Sequence, residues 1–259
     1  VFMLVAVSSF TVTAVASLIA LFTSSSVLFQ FRYLMNIVRR LFPRVFWYKP
    51  TDQPVIALTI DDAPSKDTEA LLDILERYNI KATFFIIANE AKKYPDIMKR
   101  IKDAGHQMGN HMCEDRPSFK LSLEEYERRL MECDSVLESF GAFDNLEDPI
   151  SCFNHGNAIV DGNYKWTRPG SGIFTSNMLD IAERNNYSTV LGNVYPWDPQ
   201  IPSQWWSGRF VSTRASSGSI IIIHDRPFTP EALEYILQEL SVKKQFQFLT
   251  LTELANYQS

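Results

Sequence analysis

From residue 51 onward, hydrophobic and polar positions follow an alternating order of strand-like and helix-like blocks. Residues 55–60 are nearly all apolar and rich in β-branched types, which predicts a buried strand ending at two adjacent aspartates. Residues 66–78 place apolar side chains three and four positions apart, which predicts an amphipathic helix. Strands that alternate with helices predict a largely parallel sheet or barrel, with functional side chains at the carboxyl ends of the strands.

Local signals extend this order along the chain. Ser122 and Glu125 have the spacing of a capping box and predict the start of a long helix. Gly105 stands where a glycine often ends a helix, and Thr229 with Pro230 predicts the start of another. The further strands are predicted at 81–87, 106–109, 188–191, 218–223 and 246–251, and the further helices at 91–104, 122–140, 178–185 and from 229 onward.

The first part of the chain has a different composition. Residues 1–31 carry no charged side chain, and 1–22 form a nearly unbroken apolar run that is long enough to span a bilayer. We therefore divide the chain into a transmembrane anchor or signal-like segment (1–31), a basic and aromatic linker (32–54) and one α/β domain (55–259). A buried core helix is the alternative for the first segment. The basic residues of the linker favour a cytoplasmic location for the chain that follows the first segment. Basic residues on the other side of that segment could reverse this preference, so the orientation stays open.

Residues 144–163 interrupt the alternation of strands and helices. They show no clear period and are rich in Asn, Asp and Gly, which predicts an inserted surface loop. A sequence artefact such as a retained intron is the alternative, and we assign no function to this segment.

Composition excludes one class of partner and one kind of metal site. The net charge of −5 leaves no basic footprint of the kind that binds nucleic acid. The three cysteines, Cys113, Cys133 and Cys152, have no CxxC spacing, so the sequence predicts no zinc knuckle and at most one disulfide.

Two carboxylates and a histidine stand at predicted strand ends. Neighbouring side chains at a strand end point to opposite sides, so one of Asp61 and Asp62 can hold a metal while the other stays beside a reacting water. A helix cap is the alternative for either aspartate. His224 ends the predicted strand 218–223 and is either a partly buried structural residue or a general acid or base.

Two further groups carry possible site chemistry. His111 and Asp115 are four residues apart, so they can share a metal ion or form an ordinary surface ion pair. Arg168 follows an aromatic, strand-like run, where its charge can orient a carboxylate or simply solvate a loop.

Taken together, these residues form five ordered motifs that resemble those of a known family. The motifs are Thr-Ile-Asp61-Asp62, Gly-Asn-His111-x3-Asp115, Arg168-Pro-x-Ser-Gly, Trp197-Asp198 and His224-Asp225. Their order and spacing are similar to those of the polysaccharide deacetylases, carbohydrate esterase family 4, over the NodB homology domain from about residue 55 onward. The resemblance implies a distorted (β/α) barrel and metal-dependent removal of N-acetyl groups from N-acetylglucosamine polymers such as chitin or peptidoglycan.

The resemblance also implies catalytic and substrate-binding roles. Asp61 corresponds to the catalytic base and His224 to the general acid, with Arg168 holding Asp61 in position and Asp198 as the fourth motif. The resemblance implies that Ser171, through its backbone N–H, and Ile222, in the wall of the acetyl pocket, contact the substrate. Apart from the resemblance, the ring of Trp197 offers a flat apolar surface to a sugar ring, with core packing as the alternative.

The implied metal ligands depart from the family pattern at one position. Asp62 and His111 match, but the third ligand, usually a histidine, is here Asp115. We expect one divalent ion, zinc in first place. Cobalt, manganese and iron are the alternatives, since Asp115 adds a hard oxygen donor. Weak metal binding, or an ion pair between Asp115 and Arg116, is the other outcome.

Three functions therefore stay open at the level of sequence. The first is a monomeric hydrolase, membrane-anchored or secreted, that deacetylates an extracellular or cell-wall polysaccharide. The second is a non-catalytic carbohydrate-binding protein whose metal site has drifted. The third is a deacetylase of a small N-acyl sugar, which shares the chemistry but not the polymeric substrate.

Overall fold

The computed structural model describes residues 26–144 and 164–258, with side chains from residue 33. It divides into two units that part between Phe42 and Pro43. None of the helices within the described ranges has both the length and the hydropathy that a bilayer crossing needs. The apolar run at 1–22, most of the loop predicted at 144–163 and Cys152 lie outside the described residues.

Parallel strands and helices alternate along the second unit. The strands are β1 Val45–Phe46, β2 Val55–Ala63, β3 Thr83–Ile86, β4 Gln107–Asn110, β5 Lys165–Thr167, β6 Tyr187–Val190, β7 Ile220–His224 and β8 Gln247–Leu249. The helices of the two units are α1 Ser26–Leu41, α2 Thr68–Arg77, α3 Ala88–Lys93, α4 Pro95–Asp103, α5 Leu123–Ser139, α6 Ser176–Arg184, α7 Gln204–Arg214, α8 Thr229–Leu237 and α9 Leu251–Ala255, with a π-helical turn at Gln238–Lys243.

The sheet bends back on itself to form an irregular barrel. Its strand order is β1-β6-β5-β4-β3-β2-β7, β8 pairs with the start of β2, and every strand pair is parallel. The segment after β6 then reaches β7 through a bridge between Val194 and Ile221, which joins the two sides of the path. The distorted (β/α) barrel expected from the resemblance is thus confirmed.

The central strand β2 divides its side chains between two cores. Its even-numbered residues Ile56, Leu58 and Ile60 pack in the larger cluster with side chains of α2, α4 and α8. Val55 and Ala57 instead pack in a second cluster with Phe85 and Trp166. Because side chains alternate along a strand, Thr59 and Asp61 continue the face of Val55 and Ala57. This face is therefore apolar at its lower end and polar at the carboxyl end of the strand.

Most of the predicted elements are present, and the differences have local causes. The helix predicted at 91–104 is two helices, because Pro95 begins a new helix after Tyr94. Helix α7 was not predicted because its buried face consists largely of small residues without a hydrophobic period. One of them, Gly208, lies against the ring of Tyr235, where an added Cβ would come within 2.8 Å. Residues 43–54, assigned to a linker, contribute β1 to the sheet.

Candidate active site

Four strand ends bring the predicted polar residues together. Asp61 lies at the end of β2 and is paired in register with His224, the last residue of β7. His111 directly follows β4 and Arg168 directly follows β5, where Asn110 and Thr167 are register partners. Because these strands are parallel, all four side chains lie at one edge of the barrel.

Both adjacent aspartates face the same cavity, which corrects the expectation that they point to opposite sides. The register between β2 and β3 shifts between Ile60 and Ala63, and Asp62 has a left-handed backbone with φ 65°. Such an irregularity inserts a residue and redirects the side chains that follow it. Asp61 and Asp62 are 3% and 6% exposed, and both line the cavity.

The cavity has a volume of about 500 Å³ and gathers most of the predicted site. Eight of the ten predicted residues line it: Asp61, Asp62, His111, Asp115, Arg168, Ser171, Ile222 and His224. Asp198 lies behind His224, and Trp197 lies outside the cavity lining.

Arg168 fixes Asp61 from inside the barrel. Its Nη1 donates to Asp61 Oδ1 and, over 2.9 Å, to Thr59 Oγ1. The guanidinium also lies 4.1 Å from the centre of the Phe85 ring, and both charged partners are almost fully buried. Burial lowers the pKa of Arg168, and the negative charge of Asp61 opposes that effect. A buried pair of this kind holds the Asp61 carboxylate in one orientation.

Asp198 holds His224 by two contacts. His224 Nδ1 lies 2.9 Å from Asp198 Oδ1, and the backbone N–H of His224 donates to Oδ2 over 2.7 Å. The other ring nitrogen, Nε2, lies 4.0 Å from Asp61 Oδ2. Burial works against protonation of His224, but the hydrogen bond to Asp198 and the charges of Asp61, Asp198 and Asp62 outweigh it and raise its pKa. The imidazole therefore favours the protonated form that a general acid needs.

His111 presents one ring nitrogen to Asp62. Its Nδ1 lies 2.8 Å from the carbonyl oxygen of Arg168, and a carbonyl only accepts, so Nδ1 carries a hydrogen. Nε2 lies 3.4 Å from Asp62 Oδ1, which has no hydrogen-bond partner although it is buried. Burial opposes ionisation of Asp62, but its interaction with His111 and the charges of His224 and Arg226 hold its pKa below the usual range.

Asp115 is placed differently from the other two predicted ligands. Its side chain is 65% exposed, and its Oδ2 lies 3.4 Å from Nη2 of Arg226. The same Nη2 donates to Asp62 Oδ2 over 2.6 Å. Arg116, the alternative partner considered for Asp115, instead pairs with Glu114. Among residues 33–144 and 164–258, no three His, Cys, Asp or Glu side chains are grouped closely enough to hold a metal ion.

The site fits a divalent ion at two donors. A buried carboxylate oxygen without a hydrogen-bond partner faces the imidazole nitrogen opposite the one that donates to a backbone carbonyl, and a metal ion bound between them would take the place of a proton. Carboxylate and imidazole donors suit zinc as well as manganese or iron. The third predicted donor, Asp115, is directed at Arg226 instead.

A tight loop forms the wall beside Arg168. Ser171 has a left-handed backbone with φ 68°, and Gly170 approaches the carbonyl oxygen of Arg116 so closely that an added Cβ would lie 2.1 Å from it. The hydroxyl of Ser118 accepts a hydrogen bond from Gly170 N–H over 2.8 Å. The loop is therefore held close to the strand ends, with Ser171 at the cavity and Ile222 in the lining.

The aromatic lining differs from the one expected. Trp197 is 50% exposed and lies between Tyr195 and Phe210, with ring centres 5.8 and 5.6 Å away. The aromatic residues in the cavity wall are Tyr195 and Trp47. Neither was predicted, because Tyr195 lies next to the more conspicuous Trp197 and Trp47 falls in the segment assigned to a linker. Arg226, two residues after His224, was also missed.

Comparison with known proteins identifies the family. A family model described as polysaccharide deacetylase matches residues 48–144. A peptidoglycan-N-acetylglucosamine deacetylase of Bacillus cereus is 32% identical over 221 residues, which are 80% of this chain and 72% of that protein. The chain belongs to the polysaccharide deacetylase family. Another B. cereus protein of the same description is 29% identical and is matched over 93% of its length.

Solved structures of this family agree in fold. A peptidoglycan N-acetylglucosamine deacetylase superposes with a TM-score of 0.68 at 27% identity, over 82% of this chain and 92% of that one. A pseudoenzyme of carbohydrate esterase family 4 from Bacillus anthracis gives 0.67 at 23% identity, over 81% of this chain and 68% of that one. At that identity the second likeness concerns the fold alone.

Proposed function

We propose that this polysaccharide deacetylase is a metal-dependent hydrolase that removes N-acetyl groups from an N-acetylglucosamine polymer of the cell wall. The observation that carries the proposal is the facing pair Asp61 and His224. Each has its own buried partner, Arg168 or Asp198, and the reactive atoms Oδ2 and Nε2 are 4.0 Å apart. Amide hydrolysis requires such a pair, because a base must activate water and an acid must protonate the leaving amine.

Asp61 is the proposed base, and His224 is the proposed acid. Arg168, which also donates to Thr59, orients the Asp61 carboxylate so that Oδ2 faces His224, where it can take a proton from the attacking water. His224 keeps its proton through Asp198 and gives it to the departing amine nitrogen. Arg168 and Asp198 therefore act by positioning and charge, without contacting the substrate.

Asp62 and His111 are the proposed ligands of a divalent ion, with Asp115 as the third. When bound, such an ion lowers the pKa of a water molecule and polarises the acetyl carbonyl. We propose zinc, with cobalt, manganese or iron as alternatives, because the donors combine one imidazole with carboxylates. The backbone N–H of Ser171 is the proposed donor to the oxyanion, a contact of the type worth a few kcal/mol in acyl transfer.

The proposed substrate follows from the relatives and from the shape of the site. The two B. cereus relatives are described as acting on peptidoglycan N-acetylglucosamine, so we favour peptidoglycan and keep chitin as a second polymer to be tested. Ile222 is proposed to contact the acetyl methyl group. Tyr195 and Trp47 give the cavity flat apolar surfaces of the kind on which sugar rings pack, and the exposed Trp197 extends this surface outward. We propose that the protein acts as a monomer outside the cell, held at the membrane by residues 1–31.

The test is acetate release by the full chain from peptidoglycan and from chitin oligomers, with zinc, cobalt, manganese, iron or a chelator added. We expect release that the chelator abolishes and that Asp61→Asn lowers by about 10²- to 10⁴-fold, the usual contribution of a general base. Asp103→Asn makes the same chemical change in an exposed pair with Lys99 and serves as the matched control.

A carbohydrate-binding protein without catalysis is the second candidate. The observation that favours it is the pairing of Asp115 with Arg226, which leaves the metal site with two facing donors. Glycan binding that persists, with no acetate release from either polymer under any metal, would select this alternative and reject the hydrolase.

A further inference from the structure

Arg226 places a positive charge among the proposed metal ligands. Its Nη2 lies 2.6 Å from Asp62 Oδ2 and 3.4 Å from Asp115 Oδ2, so one guanidinium nitrogen contacts two of the three carboxylate and imidazole side chains assigned to the ion. The contact with Asp62 is the closer one, and the Asp62 side chain is only 4% exposed. An arginine that merely paired with the exposed Asp115 would not need to reach this buried carboxylate.

The position of Arg226 is fixed by its surroundings. Its backbone lies two residues after the end of β7, and its carbonyl oxygen accepts a hydrogen bond from Thr229 N–H at the start of α8. The preceding Asp225 is buried and accepts hydrogen bonds from Ser65 and Thr68. Arg226 Nη1 also donates to the carbonyl oxygen of Asp225 over 3.2 Å. The guanidinium is therefore held at the rim of the cavity.

The two oxygens of Asp62 face different groups. Oδ1 faces Nε2 of His111 and has no hydrogen-bond partner, whereas Oδ2 accepts from Arg226. An ion held by Asp62 and His111 therefore shares the Asp62 carboxylate with the guanidinium. The ion and the guanidinium would then be two positive charges on one carboxylate. Like charges a few ångströms apart repel appreciably even at the dielectric constant of water, and more strongly where solvent is partly excluded.

We propose that Arg226 competes with the divalent ion for Asp62 and Asp115, and that it thereby sets the metal affinity of the site. Arg226 is a positioning residue in this proposal, because it acts on the ion through the two carboxylates. The proposal rests on the proposed metal-dependent function, but it concerns metal affinity and can be measured without any glycan. It also accounts for the exposed placement of Asp115, which is drawn toward Arg226.

The test is the dissociation constant of Zn²⁺ and of Mn²⁺ for the full chain, measured by titration calorimetry or equilibrium dialysis. Removing the charge in Arg226→Gln or Arg226→Met is expected to tighten binding by roughly tenfold or more, from the loss of the repulsion. Arg226→Lys keeps the charge and is expected to bind close to the wild-type value. Both neutral variants are included because either one, once folded, decides the result.

Arg116→Gln is the matched control. Arg116 lies beside Asp115 in sequence and carries the same charge, but it pairs with Glu114 and is 57% exposed. Its substitution is expected to leave the metal affinity unchanged. Asp62→Asn in the Arg226→Gln background is expected to abolish the tightened binding, which places the ion at Asp62.

Unchanged or weaker metal binding in the neutral variants would overturn the proposal, and so would equal tightening in Arg116→Gln. These outcomes are separate from the fate of the proposed function. Tighter metal binding in the neutral variants without acetate release supports the competition and rejects the hydrolase. Acetate release with unchanged metal affinity supports the hydrolase and rejects the competition.

Discussion

Asp61 and Asp62 are adjacent in sequence, yet two different arginines hold them. Asp61 is bound by Arg168, a guanidinium that is 3% exposed, stacked on Phe85 and donating to Thr59 inside the barrel. Asp62 is bound by Arg226, which is 31% exposed and reaches in from the loop after β7. The barrel interior thus fixes the proposed base, while a rim residue that solvent reaches neutralises the proposed metal ligand. Buried charge pairs of the first kind are costly to break, and partly exposed ones of the second kind are easier to exchange.

The largest expected effect tests this difference through stability. Arg168→Met leaves Asp61 as an unpaired buried charge, so we expect the free energy of unfolding to fall by about 3–5 kcal/mol. Arg226→Met is expected to cost less than half as much, because Asp62 keeps His111 and the rim is open to water. Urea denaturation of the full chain followed by circular dichroism measures both values.

The control for Arg168→Met is the double variant with Asp61→Asn. Removing the stranded charge should recover part of the lost stability, since the cost comes from the uncompensated carboxylate. Equal losses for the two arginine variants would show that the interior and the rim hold their aspartates equally firmly.

A buried histidine without a carboxylate partner sharpens the comparison. His106 accepts a hydrogen bond from Ala82 N–H through Nδ1, and burial, together with the charges of Lys81 and Arg100, lowers its pKa to about 4. The unfolded chain therefore binds a proton more readily, so stability is lost as pH falls from about 6.5 to about 4, by up to about 3 kcal/mol for this group. His106→Asn, which can still accept from Ala82, should remove this part of the pH dependence.

The free energy of unfolding, measured at pH 7 and pH 4.5 for the wild type and for His106→Asn, checks this expectation. The difference between them isolates His106 from the other groups that titrate in the same window. A wild type and a variant that lose stability in parallel would contradict it.

The smallest expected effect separates the proposed acid–base pair from the proposed metal ligands by the pH dependence of the reaction. Asp198 raises the pKa of His224 by accepting its hydrogen bond, so Asp198→Asn should lower that pKa and move the alkaline limb of the pH–rate profile to lower pH. The rate of acetate release should fall by roughly ten- to a hundredfold above neutral pH, where the acid has lost its proton. Asp115→Asn changes a proposed metal ligand instead and is expected to leave the alkaline limb at the same pH. A limb that moves equally in both variants would mean that His224 is not the acid.

Much of the barrel and the core of the site follow from local sequence. The β2 run and its terminal aspartates, the strand before His224 and the capping serine of α5 each carry their signal within a few residues. The expected side of Asp62 was wrong, because simple alternation takes no account of the left-handed residue that interrupts it. Arg226 was missed for a different reason: its contact with Asp62 joins positions 164 residues apart, and no local pattern encodes such a pair.

The bridge between Val194 and Ile221 and the residues beside it form the seam that closes the barrel. This seam also constrains which acyl groups the site can come to accept. Gly192 lies in this seam with φ 95°, and an added Cβ would come within 3.0 Å of Ile220 and 3.2 Å of Ile222. Ile222 is the proposed wall of the acetyl pocket, and Val194 makes the adjoining bridge to β7. A substitution that enlarged or reduced this pocket would therefore also disturb the closure of the sheet. Preference for one acyl group is thus coupled to folding at this point, and a lineage could alter it only with a compensating change in the seam.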